Sequence, residues 1–302
     1  MDKKLNVAII GIGKWGKNLT EAFLRQGANI KYCFNKGSIE NVKWLKEKHP
    51  DIELASSYED ILSDKTIDSI IVATPIKTHF EITKKALLAK KNVFLEKPGT
   101  ETVEELEELK KLHVDNDLIL TVGYIFVHHP VCTYIKKLQN NEKIISIHFE
   151  WNKWGSFGED IILNLFSHEI SLLKTFGIDI EEKTISFETH SHISEKDIVV
   201  FNAEGKNGEK ITININRVSL DKKKTVTIKT DKNSYIWLNN ELKIINMDQT
   251  NTNIEVSNVP ALDIEVANFI SNIQNKNKPL VDLDFSIDVL KTTSFLLDSK
   301  HP

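Results

Sequence analysis

Residues 5–16 read LNVAIIGIGKWG, an apolar run that ends in a glycine-rich segment. The run Asn6–Ile10 is short, β-branched and followed by turn residues, which predicts a buried parallel strand. Gly11, Gly13 and Gly16 then follow the spacing GxGxxG ahead of a helix-like stretch. In such a unit the first glycine permits a tight turn, the second lets the backbone approach a pyrophosphate, and the third lets the helix pack on the strand. The segment predicts the start of a dinucleotide-binding Rossmann domain.

The helix that follows the glycines contributes to the same site. Its N-terminus offers free N–H groups and the positive end of the helix dipole to phosphates. A glycine turn with no ligand is the alternative, and the strand–turn–helix setting disfavours it. We therefore expect the whole turn to bind the cofactor: Gly11, Ile12, Gly13, Lys14, Trp15 and Gly16.

The first 125 residues alternate between strand-like and helix-like patterns. Four more strand-like runs follow the first: Ile30–Phe34, Ser69–Ala73, Asn92–Leu95 and Leu118–Val122. Amphipathic stretches separate them: Asn18–Gln26, Ile39–Lys48, Thr78–Lys90 and Thr102–Asn116. This alternation predicts an α/β fold with a doubly wound parallel sheet over residues 1–125.

After about residue 140 the pattern changes to consecutive strands with few helices. The predicted strands are Ile144–Trp151, Thr184–Ser191, Ile198–Ala203, Lys210–Val218, Thr225–Thr230 and Tyr235–Leu238. The predicted helices are Ile161–Phe176, Ala261–Asn275 and Ser286–Ser299. Residues 126–302 are thus expected to form an α+β domain with a mainly antiparallel open sheet and helices on one face.

Composition excludes several function classes. The 302 residues carry a net charge of −4, which gives no electrostatic footprint for nucleic acid or an anionic membrane. No stretch approaches the roughly 18 apolar residues of a membrane span, and the N-terminal run is too short for a signal peptide. Cys33 and Cys132 match no metal or redox spacing. We expect a cytoplasmic protein.

The end of the second strand bears on the choice between NAD and NADP. An NAD-binding domain usually places Asp or Glu there for the ribose hydroxyls. Here the stretch is FNKGS, residues 34–38, and the first carboxylate is Glu40. Asn35, Lys36 and Ser38 suit a 2′-phosphate, which favours NADP, while Asn35 can also bond a free hydroxyl, which leaves NAD open. A solvated turn lysine is the alternative for Lys36.

Three further motifs follow strands of the first half. Ala73-Thr74-Pro75 with His79 begins at the end of the Ser69–Ala73 run, Glu96-Lys97-Pro98 follows Asn92–Leu95, and Val122-Gly123-Tyr124 with His129-Pro130 begins at the end of Leu118–Val122. With these motifs the chain resembles the Gfo/Idh/MocA family of glucose–fructose oxidoreductases and inositol dehydrogenases. The resemblance implies a Rossmann cofactor domain and a second domain for substrate binding and oligomerisation. It also implies the roles of five residues: Thr74, Pro75, His79 and Glu96 at the cofactor, and Tyr124 at the substrate.

The same resemblance makes Lys97 the catalytic lysine beside nicotinamide and substrate. The residues support this independently, because Lys97 follows a buried strand at the edge where open α/β sheets bind ligands. Desolvation there would lower its pKa and make it a workable proton donor or acceptor. The alternative is a surface lysine in a strand–helix turn.

In the second half, the family carries Asp-x-Gly-x-His-x-x-Asp on a helix that faces the cofactor. The similar stretch here is NLFSHEIS, residues 164–171, in which only His168 matches. Asn164 stands in place of the first aspartate and shares a helix face with His168 at a spacing of four. Asn there resembles relatives that act on nucleotide-linked sugars, although the arginine common in the family after the strand that corresponds to Leu118–Val122 is missing. A satisfied core histidine is the alternative for His168.

Aromatic residues lie just ahead of this helix. Trp151, Trp154 and Phe157 suit stacking on a sugar or base, and core packing is the equal alternative; we assign Trp151 and Trp154 to the substrate. His128 and His129 are adjacent and have no partners at metal-ligand spacing, so no metal site is expected.

These patterns predict an NAD(P)-dependent sugar dehydrogenase or ketoreductase in which Lys97 transfers the proton, His168 relays and Asn164 positions the sugar. Its substrate is expected to be a nucleotide sugar or keto-sugar. Two alternatives stay open: a cofactor-assisted glycosidase or lyase without net redox, and a non-catalytic dinucleotide-binding regulator. A homodimer or homotetramer is expected from the resemblance and from the open sheet face.

Overall fold

The computed structural model describes residues 4–246, 248 and 250–298. The chain forms two compact units: Met1–Ile125 with Pro260–Leu290, and Phe126–Val259 with Lys291–Pro302. The sequence predicted one division after residue 125, whereas the structure groups residues 260–290 with the first unit.

The first unit contains a six-stranded parallel sheet in the order β3-β2-β1-β4-β5-β6. Its strands are β1 Asn6–Ile10, β2 Asn29–Phe34, β3 Glu53–Leu54, β4 Ser69–Val72, β5 Asn92–Glu96 and β6 Leu120–Gly123. This order reverses direction between β1 and β4, where doubly wound sheets open a crevice for ligands. The predicted Rossmann sheet is confirmed.

Helices α1 to α5 connect these strands. They are α1 Lys14–Arg25, α2 Ile39–Lys48, α3 Tyr58–Ser63, α4 His79–Leu88 and α5 Val103–Asp115. The sequence prediction missed β3 and α3, which are only two and six residues long. α5 begins with a complete capping box between Thr102 and Glu105, which satisfies two N–H groups of its first turn.

A helix from the end of the chain completes the first unit. Phe269 of α8, Ala261–Asn275, packs edge-to-face on Phe23 and Phe94 with ring centroids 6.0 and 5.5 Å apart. Burial of each such ring contributes roughly 2–3 kcal/mol. This shared core explains why residues 260–290 belong with the first unit.

The second unit contains an eight-stranded sheet in the order β14-β13-β12-β11-β7-β10-β9-β8. Its strands are β7 Ile144–Trp154, β8 Ser186–His190, β9 Ile198–Glu204, β10 Lys210–Asn216, β11 Val218–Thr230, β12 Ser234–Leu238, β13 Glu241–Ile245 and β14 Asn251–Ile254. All pairs are antiparallel except β7 with β10. The predicted antiparallel sheet is confirmed, and β13 and β14 extend it beyond the prediction.

The remaining helices are α6 Pro130–Leu138, α7 Ser167–Thr175 and α9 Leu283–Asp298. The sequence predicted no helix at α6, and the predicted end of the last helix, Ser299, lies outside the described residues. The single helix predicted over Ile161–Phe176 was wrong in its first part, because Ile162–Phe166 form a π-helical turn ahead of α7. Such turns are rare and concentrate at functional sites.

Candidate active site

The candidate cofactor residues lie at the carboxyl edge of the parallel sheet. Ile10 of β1 pairs with Val72 of β4, and Val72 pairs with Leu95 of β5. The strands therefore end in one row, so the glycine turn, Thr74 and Lys97 all leave the sheet at the same edge. This edge is where open parallel sheets bind nucleotides.

The three glycines of the turn fill three different steric roles. Gly11 has φ +91°, and a Cβ there would lie 2.7 Å from the Ala73 carbonyl oxygen. A Cβ on Gly16 would lie 2.2 Å from the Gly11 carbonyl oxygen, so α1 packs on the turn only with glycine. A Cβ on Gly13 would meet no atom within 4 Å. Gly13 therefore borders open space in front of the helix N-terminus, as the approach of a phosphate requires.

Asn35 connects the glycine turn to the end of β2. Its Oδ1 accepts a hydrogen bond of 3.2 Å from the backbone N–H of Ile12. Its Nδ2 is buried and has no hydrogen-bond partner among the described residues. A buried donor of this kind fits an oxygen supplied by a bound ribose or its phosphate.

Lys36 and Ser38 lie on the exposed side of this corner. The Lys36 ammonium lies 5.7 Å from the centre of the Phe34 ring. Ser38 is the N-cap of α2, and its Oγ accepts a 3.4 Å hydrogen bond from the Asn41 N–H. The cap explains the serine by itself, whereas Lys36 remains available to a phosphate.

Glu96 links the glycine turn to the Glu-Lys-Pro motif that contains Lys97. The Trp15 indole N–H donates to Oε1 of Glu96, whose carboxyl is buried. Burial raises the pKa of Glu96 to about 7, while the Trp15 hydrogen bond and the Lys97 charge act to lower it. Glu265 of α8 is a second buried carboxyl, and burial together with the Glu96 charge raises its pKa well above the usual range. Glu96 therefore positions Trp15 and Lys97.

His79 is a buried support of the Lys97 turn. Its Nδ1 lies 3.0 Å from the Gly99 oxygen and its Nε2 lies 2.7 Å from the Thr74 oxygen. Burial lowers the pKa of this imidazole, although the hydrogen bonds with the Thr74 and Gly99 oxygens act to raise it. These contacts indicate that His79 holds the two loops together, rather than touching the cofactor as the sequence suggested.

Thr74 and Pro75 form the first turn after β4. Thr78 Oγ1 lies 2.8 Å from both the Pro75 oxygen and Thr74 Oγ1, so it can donate to the Pro75 oxygen while it accepts from the Thr74 hydroxyl. Thr74 is half-buried and Pro75 exposed at the sheet edge, so both stay candidates for cofactor contact.

Tyr124 differs from its predicted place. The ring is fully buried and packs edge-to-face on Phe285 at 6.1 Å. Its hydroxyl lies 3.4 Å from the Pro98 oxygen, at the cis Lys97-Pro98 peptide. Without exposed surface the ring supports the Lys97 turn, and the expected substrate contact is not supported.

In the second unit, His168 belongs to an aromatic cluster. Its ring lies 5.0 Å from that of Phe126 and 5.8 Å from that of Trp151. Phe126 also packs on Trp237 at 6.4 Å. We call Phe126, Trp151 and His168 the ring cluster. The sequence predicted two of its three members.

A lysine from β11 completes this region. The Lys224 ammonium lies 3.7 Å from the Trp151 ring centre and 4.4 Å from that of Phe126. It also forms an ion pair with Glu169, the residue after His168. Burial lowers the pKa of Lys224 and raises the pKa of Glu169, and their mutual attraction opposes both shifts.

Asn164 and Trp154 lie around this cluster in different ways. Asn164 is half-buried in the π-helical turn, whose first N–H groups are capped by Asp160 Oδ1 at 2.7 and 3.1 Å. Trp154 is 56% exposed and packs on Phe157 at 5.4 Å. Because Trp154 follows Trp151 by three positions, the two side chains leave opposite faces of β7. The assignment of Trp154 to the substrate stays a prediction.

Arg217 fixes the loop that leads into the π-helical turn. Its Nε donates to the buried Asp197 at 3.2 Å, and Nη1 donates to the oxygens of Ser156 and Glu159 at 2.8 and 2.6 Å. Asp197 accepts three further backbone N–H bonds from residues 192–194. Arg217 thus holds two loops by a buried, fully bonded charge pair.

Residues 5–124 match the family model GFO_IDH_MocA, described as "Oxidoreductase family, NAD-binding Rossmann fold". Over these residues the chain is similar to the Gfo/Idh/MocA family. The match ends with Tyr124, just before the second unit begins. The resemblance seen in the glycine turn and in the Glu-Lys-Pro motif is confirmed for this part of the chain.

Several curated proteins match parts of the chain. The scyllo-inositol 2-dehydrogenase (NADP(+)) IolW of Bacillus subtilis is 35% identical over 118 residues, 39% of this chain and 32% of the relative. The 2,7-anhydro-N-acetylneuraminate hydratase of Escherichia coli is 27% identical over 154 residues, 50% of this chain and 40% of the relative. The matched part of the chain thus covers less than half of the length of either relative.

The whole fold has a counterpart among solved structures. The UDP-N-acetylglucosamine 3-dehydrogenase GnnA of Acidithiobacillus ferrooxidans superposes with a TM-score of 0.87 over 97% of this chain and 96% of its own. At 19% identity, this likeness shows that the two chains share a fold.

Three residues of the candidate site were not predicted from the sequence: Lys224, Glu169 and Arg217. The sequence prediction left Lys224 in the turn between the strands Lys210–Val218 and Thr225–Thr230. In the structure β11 begins at Val218 and includes Lys224. Alternation backwards from Val226 would have placed Lys224 on the core-facing side of the strand. Glu169 and Arg217 gave no comparable signal, because nothing local distinguishes a buried charge from an exposed one.

Across residues 4–246, 248 and 250–298, none of the helices has the length and apolar character needed to traverse a bilayer. In the same part of the chain, no three His, Cys, Asp or Glu side chains form a group suited to a metal ion.

Proposed function

We propose that the protein is an NAD(P)-dependent oxidoreductase that acts on a hydroxyl or keto carbon of a sugar. The observation that carries this proposal is the edge of the parallel sheet, where the glycine turn and Lys97 leave strands that end in register. The fit of the turn to a dinucleotide rests on the open space at Gly13 and the unpartnered Nδ2 of Asn35.

Gly11 to Gly16 and Asn35 would hold the dinucleotide, with Thr74, Pro75 and Glu96 beside it. When bound, the nicotinamide supplies the hydride acceptor or donor that no side chain provides. We favour NADP, because Asn35 Nδ2 and Lys36 are donors and no carboxylate precedes Glu40 on this corner. NAD is compatible with the same asparagine.

Lys97 is proposed to transfer the proton of the reacting hydroxyl. Its turn is supported from three sides by His79, Glu96 and Tyr124. A group held in this way is pre-organised, so little reorganisation accompanies proton transfer. His168 is proposed to hydrogen-bond the substrate and Asn164 to orient it.

We propose a nucleotide sugar or related keto-sugar as substrate. Asn164 at the position of the family aspartate supports this class, since an amide orients a hydroxyl without removing its proton. The accessible aromatic surface of Trp151 suits stacking on a sugar ring. We also propose a homo-oligomer, which light scattering on the purified protein would test.

The experiment is turnover of a nucleotide-sugar panel, followed at 340 nm, by the wild type and by Lys97→Ala. We expect the variant to lose roughly 10²- to 10⁴-fold in kcat, with the Kd for NADPH within twofold of the wild type. Lys77→Ala, an exposed lysine in the turn after β4, is the control and should keep full activity. Near-normal turnover by Lys97→Ala would contradict the assignment.

A second candidate is a reaction without net redox. The name of the Escherichia coli hydratase, whose matched part is 27% identical, favours it. In that case product forms with no net change at 340 nm, and Lys97→Ala still abolishes it. Dinucleotide binding without product from any member of the panel would instead support a regulator.

A further inference from the structure

The Lys224–Glu169 ion pair is an unusual element of the second unit. The two side chains are 15% and 1% exposed. Removing two charges from water costs about as much as their attraction returns, so a buried pair is a poor source of stability. Stability therefore does not explain why this ion pair is present.

Position supplies that explanation. The Lys224 ammonium lies over the rings of Trp151 and Phe126, at 3.7 and 4.4 Å from their centres. The His168 ring packs on the same two rings, and Glu169 is its neighbour on α7. The Lys224 ammonium and the His168 imidazole thus contact the same two aromatic rings.

We propose that Lys224 is a positioning residue for His168. Anchored by Glu169, its ammonium holds the rings of Trp151 and Phe126 by cation–π contact, and these rings set the orientation of the imidazole. The importance of this arrangement for turnover rests on the function proposed above for His168. The arrangement itself can be tested without any substrate.

The pair also sets the charge environment of the imidazole. A nearby cation disfavours the imidazolium and a nearby anion favours it. Glu169 from α7 and Lys224 from β11 bring charge to the ring cluster, while β7 contributes Trp151. Burial lowers the pKa of His129, which packs on Trp237 beyond Phe126, and the hydrogen bond with Asn240 acts to raise it.

The chain offers a matched control one residue away. Lys223 of β11 pairs with Glu150 of β7 at 2.7 Å, with side chains 48% and 32% exposed. Neighbouring residues of a strand point to opposite faces, so this pair lies on the other side of the sheet from Lys224. Loss of the Lys223 charge should therefore leave the pKa of His168 unchanged.

The experiment is a pH titration of ¹⁵N-histidine-labelled protein by NMR, with His168 assigned from the His168→Gln variant. We expect Lys224→Met to raise the pKa of His168 and Glu169→Gln to lower it, each by roughly half a unit to one unit. Lys224→Arg, which keeps the charge and the stacking, should restore the wild-type value. Lys223→Met should leave it unchanged.

Shifts of opposite sign in the two single variants support the proposal, because a purely structural role gives no such pattern. A His168 titration that is the same in Glu169→Gln as in the wild type, or that moves equally in Lys223→Met, would overturn it. Glu169→Gln keeps the size and an acceptor for Lys224, so it decides the matter if Lys224→Met does not fold.

A kinetic comparison separates this inference from the proposed function. If the enzyme turns over its substrate, Lys224→Met should lower kcat and displace the pH profile, with NADPH affinity unchanged. If no turnover is found in the wild type, the proposed function fails while the NMR titration still decides the role of Lys224.

Discussion

The Trp15 indole N–H donates to the buried carboxyl of Glu96, which joins the glycine turn after β1 to the residue that precedes Lys97. The two parts of the sheet edge that the sequence assigns to cofactor and catalysis are thus one hydrogen-bonded unit. Its behaviour depends on pH, since burial raises the pKa of Glu96.

Trp15→Phe should therefore destabilise the protein more at pH 8 than at pH 6. A carboxyl with a raised pKa binds more protons folded than unfolded, so its contribution to stability falls as pH rises from about 4.5. Loss of the indole donor raises the pKa of Glu96 further. We expect a loss of about 1–2 kcal/mol at pH 8 and less than half of that at pH 6. Urea unfolding at both pH values measures it, and equal losses would contradict it.

Asn35→Asp should change the cofactor preference. The carboxylate keeps an acceptor for the Ile12 N–H and replaces the Nδ2 donor by an oxygen that repels a 2′-phosphate. We expect the Kd for NADPH to rise about tenfold or more and the Kd for NADH to stay or fall. Fluorescence titration gives both constants. An unchanged ratio of the Kd values for NADPH and NADH would show that the 2′ group of the ribose does not contact Asn35.

Much of the first unit was predictable from sequence because buried parallel strands read as short apolar runs between turns. The Asn6–Ile10 and Ile39–Lys48 predictions match β1 and α2 in both bounds. The same rule cannot find β3, whose two residues are both exposed. It also cannot tell which unit α8 joins, because the packing of Phe269 on Phe23 spans nearly the whole chain.

The candidate site was less predictable in the second unit. His168 and Trp151 were found by motif and residue type, and the structure brings them together. Lys224 and Arg217 were not found, because their burial depends on strand register and on loops distant in sequence. Charged residues of this kind read as solvent-exposed until a partner is known.

Arg217→Met should be the most destabilising of the single substitutions that remove a charge. It leaves Asp197 buried and without its guanidinium, and such a loss costs roughly 3–5 kcal/mol. Lys276→Met is the control, because the Lys276–Asp117 ion pair, at 2.7 Å, has both side chains about 80% exposed. Its free energy of unfolding should stay at the wild-type value. Equal effects of the two variants in urea unfolding would contradict this account.

Asp197 should also contribute to acid unfolding. Burial acts to raise the pKa of its carboxyl, but hydrogen bonds from Ser194 and the backbone of residues 192–194 outweigh this and hold it well below the usual 3.8. When the pKa of a carboxyl is lower in the folded than in the unfolded protein, its ionised form stabilises the fold at pH values above the unfolded pKa. This stabilisation is lost as the pH falls from the unfolded pKa to the folded pKa. Asp197→Asn should therefore be less stable at pH 7 and show a shallower loss between pH 4 and 2. A parallel loss in both proteins would exclude Asp197 as a source.

The central claim is that a dinucleotide lies against the glycine turn, and Gly13→Ala tests it most directly. Its backbone, with φ −63°, accepts a side chain, and a Cβ there meets no atom of the protein within 4 Å. We expect unfolding free energy within about 1 kcal/mol of the wild type and an NADPH affinity at least tenfold weaker, because the methyl group occupies the space in front of the helix N-terminus. Fluorescence titration of NADPH with both proteins gives the answer. Equal affinity in Gly13→Ala and the wild type would contradict the account.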